Sequence, residues 1–125
     1  MISLTLDQLL ELHALVVNST GGSAGIRDLG RLEAAIATQS QNVFGEELYP
    51  NILDKTAAII RAIIADHPFV NGNKRTAIIT GLTILDLNGI NFSAKEGEIE
   101  DFAVKIAVDH IDVPEIARWL ELHTR

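Results

Sequence analysis

The segment Ala57-Ala-Ile-Ile-Arg-Ala-Ile-Ile-Ala65 constrains the fold more than any other part of the chain, because wound as a helix it is apolar on nearly every face. Such a helix has no polar side to give to water, so the remaining chain has to surround it with further elements. Asn51 can cap its start, with Asp54 in the first turn. Pro68 disfavours helical geometry at the residue before it, which ends the helix there and hands His67 to a loop. After that loop a second apolar-periodic segment runs through Ile78, Ile79, Leu82, Leu85 and Leu87, with Asn73 as its expected cap and Asn88-Gly89 as its stop.

The flanking segments carry helix signals of their own. Thr5 and Gln8 form a capping-box pattern that opens a helix to about Val17, followed by a loop from Asn18 to Gly25 rich in glycine and serine. Asp28 can cap a helix through Leu32, Ala35 and Ile36 to near Gln41, and Asn42 to Pro50 reads as irregular. Ser93 with Glu96 suggests a helix to about Val108. Asp112 with Glu115, and Pro114 in the first turn, suggests a last short one carrying Ile116, Trp119 and Leu120. Strand signals are scarce, with at most Gly89 to Phe92 as a short extended piece. The expectation is an all-α chain, residues 1–125 as one domain of about six helices, with a loop between the two central helices.

Composition narrows the function. The chain has no cysteine, which removes disulfides, thiolate zinc sites and cysteine nucleophiles together and is compatible with a reducing cytoplasm. The N-terminal stretch lacks a basic region and a small-residue cleavage site, and no apolar run approaches the roughly 20 residues that span a bilayer, so neither secretion nor a membrane is expected. A formal net charge of −7 opposes direct binding to nucleic acid or an anionic surface.

Against that acidic background the run His67-Pro-Phe-Val-Asn-Gly-Asn-Lys-Arg75 is unusual. Lys74 and Arg75 fall in the first turn of the following helix, where the partial positive charge of the helix end should repel them. An anion resolves the conflict, since the free N–H groups of a helix start favour phosphate and both cations add charge-assisted hydrogen bonds. Gly72 permits a positive φ or close approach of backbone, and Asn73 is expected both to cap and to donate to phosphate. His67 beside such a site suits a general base, and Phe69 suits an anchor that holds the loop in the core.

The arrangement resembles the Fic/Doc superfamily, and lysine at position 74, where typical Fic proteins have glycine, points to its Doc branch, the death-on-curing toxins. The stretch Gly25-Ile-Arg-Asp-Leu-Gly-Arg-Leu-Glu-Ala-Ala-Ile36 and the Thr76-Ala77 continuation also look like Doc-family sequence. The further arginine that closes the Fic pattern is missing at Ala77 and Ile78. The resemblance implies a small helical toxin of a toxin–antitoxin pair that transfers the γ-phosphoryl of ATP to a threonine of translation elongation factor Tu, arresting translation, with an antitoxin similar to the Phd family as partner. It implies His67 as base, with Asn73, Lys74 and Arg75 on the phosphates. It also implies a magnesium ion near Asn71, where the family usually has an acidic residue; asparagine is the weaker ligand for a hard cation. Self-inhibiting Fic enzymes carry a Ser/Thr-x-x-x-Glu helix motif, and Ser93-Ala-Lys-Glu96 is one residue short of it, so inhibition in cis is not expected. A flap that docks the target peptide is expected between Gly21 and Leu29.

Two further readings compete. The same fold performs adenylyl transfer in ordinary Fic enzymes, with Lys74 as the feature against it, and a noncatalytic nucleotide-binding module is favoured by Asn71. Arg61 reads as a snorkelling side chain, His110 and Asp112 as too sparse for a metal pair, Trp119 as a core or groove anchor, and His13 and His123 carry no argument.

Overall fold

A computed structural model describes residues 2–125. Six helices follow in chain order: α1 Leu6–Thr20, α2 Leu29–Ala37, α3 Ile52–Asp66, α4 Asn73–Leu87, α5 Glu98–Asp109 and α6 Val113–Leu122. Between α2 and α3 come a short 3-10 turn, Thr38–Ser40, and a two-stranded antiparallel hairpin, β1 Asn42–Val43 and β2 Glu46–Glu47.

Helix α3 is the centre, packed on α4 and α6 and then on α2, as its all-round apolarity requires. Ala57, Ile59, Ile60, Ile63 and Ile64 are all buried, and each isoleucine contributes roughly 1.5–3 kcal/mol of transfer free energy as an upper estimate. Helix α4 comes close because Gly81 faces α3: a Cβ there would sit 2.8 Å from Ile60 Cγ1. The hairpin is tied to this core by Lys55. Its buried ammonium donates to Gln39 O and Glu47 Oε1, each at 2.9 Å, which satisfies a charge that would otherwise be costly to bury. Gln39 in turn pairs with both backbone groups of Leu4, fixing the entry to α1.

Four of the expected caps are present: Thr5, with its reciprocal Gln8 bond, Asp28, Asn51 and Asp112. Several expectations are corrected. Helix α1 runs three residues past Val17, to Thr20, ending on Gly21 in the left-handed region. Asn42 to Pro50 is not wholly irregular, because Phe44 and Gly45 both take positive φ, 52° and 82°, the geometry of a tight hairpin turn. Strands of two residues are too short to show an alternating pattern. Helix α5 starts at Glu98 on a left-handed Gly97 rather than on Ser93, whose N–H donates to His123 O beside a Phe92–Thr124 bridge. Asn73 does not cap α4; Gly72 occupies that position.

Candidate active site

His67 sits where α3 stops. Its N–H still bonds Ile63 O at 3.2 Å, but its backbone is left-handed, φ 47° and ψ 60°, and its side chain is exposed. Glycine or asparagine is the usual occupant of such a joint, and an L side chain there costs about 1–2 kcal/mol. The strain is held by groups from α2 and the segment before it. Arg27 donates through Nε to His67 O and through Nη2 to Asp66 O, both at 2.6 Å, and Arg31 Nη1 adds a 3.1 Å bond to Asp66 O. Two guanidinium groups therefore meet the negative end of α3. The segment before α2 also runs antiparallel to the loop: Arg27 and Asp28 donate their N–H groups to Pro68 O, Val70 N–H donates to Gly25 O, and Ile26 bridges Phe69. The residues expected to form a flap, Gly21 to Leu29, thus lie edge to edge against the loop that presents His67.

Phe69 is fully buried. Its backbone is clamped by Asn73, whose Oδ1 accepts from Phe69 N–H and whose Nδ2 donates to Phe69 O, each at 3.0 Å. Both ends of the Asn73 carboxamide are thereby used, so its side chain is a brace for the loop; what it leaves for a ligand is its backbone N–H. Gly72 takes φ 74°, and a Cβ there would press on Val16 Cγ1 at 3.3 Å. Asn71 is exposed, and its Oδ1 accepts from Ser23 N–H at 2.9 Å.

The start of α4 lacks any side-chain cap, unlike α1, α2, α3 and α6. The first N–H groups of a helix have no internal acceptor, and among the described residues nothing takes those of Asn73, Lys74 and Arg75. Lys74 and Arg75 are exposed and form no ion pair among the described residues. Their side chains line one end of a groove of about 540 Å³ between α4 and α5, with Ile78, Ile79, Leu82 and Val104 along it. A larger hollow of about 790 Å³ lies at the other end of α3, around Asn51, Lys55 and Arg118, and holds none of these residues. An imidazole, free backbone N–H groups and two cations without ion pairs among the described residues thus fall within the nine residues from His67 to Arg75, while the groove that Lys74 and Arg75 line is also lined by Glu100 and does not include His67.

The donors do not make a metal cage. Among the described residues no three His, Cys, Asp or Glu side chains gather, and the Asn71 oxygen is neutral and already accepts one hydrogen bond. Arg61 points away from the loop, donating through Nε to Ile111 O at 3.2 Å. His110 ends α5 and Asp112 caps α6. Trp119 stacks on Phe102 with ring centroids 4.2 Å apart.

Arg27, Arg31, Ser23 and His13 touch the site without having been singled out for it in the sequence. The arginines stand within the stretch that shares the Doc-like pattern; the other two left no local trace.

The match extends beyond the loop. Residues 3–85 fit the model of the Fic/DOC family, and the chain belongs to that family. It is similar to a Toxin Doc from Mycolicibacterium smegmatis, 36% identical over 102 residues that cover 80% of this chain and 78% of that protein. It is also similar to the Protein kinase doc of Escherichia phage P1, 32% identical over 114 residues, 91% of this chain and 89% of that one. Both likenesses place it on the Doc side of the family. None of the helices described is long and apolar enough to cross a membrane.

Proposed function

We propose that the chain is a Doc-like toxin kinase of the cytoplasm that moves the γ-phosphoryl of ATP to a hydroxyl of a protein. The observation that carries this reading is the uncapped start of α4, with Lys74 and Arg75 unpaired, immediately after the strained joint that exposes His67. In the step proposed, the His67 imidazole takes the proton of the attacking hydroxyl as its oxygen bonds to the γ-phosphorus. The bond from that phosphorus to the β,γ-bridging oxygen breaks, and ADP leaves with the electron pair. Lys74, Arg75 and the N–H groups of Gly72 to Arg75 face the charge carried by the phosphates. A magnesium ion accompanying the nucleotide would offset charge on the phosphates, and among the loop residues Asn71 would hold it only weakly, through its neutral Oδ1.

The target proposed is a threonine of translation elongation factor Tu, docked along the segment from Gly21 to Leu29, with arrest of translation as the result. The names of the two relatives support a toxin and a kinase, and a toxin of this kind implies an antitoxin; we take it to be Phd-like. Adenylyl transfer is the competing chemistry, and the resemblance opposes it, since Lys74 stands where typical Fic proteins have glycine.

The test uses elongation factor Tu, magnesium and ATP labelled at either the γ- or the α-phosphorus. Label arriving from the γ position alone, and lost in His67→Ala with the fold intact, is the expected result. Arrival from the α position makes the chain an adenylyltransferase, and arrival from neither removes this target.

A further inference from the structure

His13 lies on α1, 58 residues from the loop it touches, and is only 1% exposed. Its ring lies flat on Phe69, centroids 3.6 Å apart and planes within 8°. Its Nε2 is 2.8 Å from Asn71 O, and because a carbonyl only accepts, Nε2 carries the proton and donates. Val16 and Val17, three and four positions further on, press beneath Gly72, so a single face of α1 forms the bed of the loop. Ring packing alone does not call for a nitrogen here. A phenylalanine would stack as well and bring no polar atom to be satisfied.

The direction of that hydrogen bond has a consequence through the peptide plane. In a trans peptide the C=O of one residue and the N–H of the next point in opposite directions. Asn71 O is drawn inward to α1, so Gly72 N–H is turned away from α1, and no partner takes it among the described residues. It is a further backbone donor without a partner among the described residues, next in the chain to those of Asn73, Lys74 and Arg75 at the start of α4. Asn71 is a joint in a second sense, since its Oδ1 holds Ser23 N–H of the neighbouring segment. Asn71 thus ties the loop to α1 through His13 and to the segment before α2 through Ser23.

We propose that His13 is a positioning residue for phosphate: by holding the Asn71 carbonyl it aims the Gly72 N–H into the anion cradle. The inference rests on reading the start of α4 as the phosphate site. Inorganic tripolyphosphate is the probe, so that neither a target protein nor turnover is required. In 15N-labelled protein the amide of Gly72 is expected to shift on titration together with those of Asn73, Lys74 and Arg75. His13→Phe, which keeps the stack and loses the donor, is expected to melt within a few degrees of the wild type and to bind at least about tenfold more weakly. His13→Gln, which restores an N–H donor, is expected to return affinity to within about threefold. Equal losses in His13→Phe and His13→Gln, or no loss in His13→Phe, overturn the role of the donor. A Gly72 amide that stays still while the other three move overturns the proposal and leaves the phosphate site standing; no movement at any of the four overturns both.

Discussion

The strain at His67 separates what the fold would choose from what the proposed chemistry would need. Its left-handed backbone would suit glycine better, and removing the side chain there should relieve about 1 kcal/mol, partly offset by the greater freedom of glycine in the unfolded chain. His67→Gly is therefore expected to abolish transfer while holding or raising the melting temperature. A loss of several degrees in thermal unfolding would show that the imidazole serves packing and would contradict its assignment as base. The same reasoning explains why the residues around it are spent on support: Arg27 and Arg31 hold the end of α3, and Asn73 braces Phe69 instead of reaching outward. Asn73 braces Phe69 where a cap is expected because a cap and a loop brace use the same side chain, and one sequence does not say which backbone groups lie within its reach.

Among the elements, legibility followed the kind of signal at each end. Helices α1, α2, α3 and α6 begin on side chains that accept a backbone N–H, and these starts were readable. Helices α4 and α5 begin on left-handed glycines, which leave no side-chain mark, so both starts were displaced. The motif loop was visible because its residues are contiguous. Its supports His13 and Ser23 come from 58 and 48 residues upstream and are recognisable only once α1 and the segment before α2 are seen against the loop. Helices α5 and α6 are joined by another histidine that the sequence left silent. His123 faces Trp119 O at 2.7 Å through Nδ1 and Glu98 Oε2 at 2.9 Å through Nε2, so the charged imidazolium satisfies both acceptors. The Trp119 carbonyl first, then Glu98, holds His123 above its ordinary 6.5. The Lys95 N–H first, then His123, holds the Glu98 carboxyl below its ordinary 4.5. The raised His123 contributes stability that is full below about 6.5 and fades as pH rises through its folded value; the lowered Glu98 contributes above about 4.5 and fades as pH falls through its own. The tie is thus strongest between those limits. The melting temperature is expected to fall from pH 6 to pH 8.5 by more in the wild type than in His123→Gln, and equal slopes would remove the tie from the account.

For the whole molecule, charge decides where a nucleotide can settle. A chain of net charge −7 repels ATP over most of its surface, so binding has to come from a local concentration of donors strong enough to overcome that field. In the function proposed, Lys74 and Arg75, without ion pairs among the described residues and beside an uncapped helix start, would supply that concentration, with α1 and the segment before α2 as its frame. The family explains the layout; the acidic background explains why two cations matter so much here. Calorimetric titration of ATP into the wild type and into a variant carrying Lys74→Ala and Arg75→Ala tests this most directly. The account predicts that ATP binds, that adenosine without phosphates does not, and that the double change weakens ATP by at least about tenfold, an effect that shrinks as salt screens the wild-type site. Equal affinity of both proteins for ATP would place the phosphates elsewhere and contradict the account at its centre.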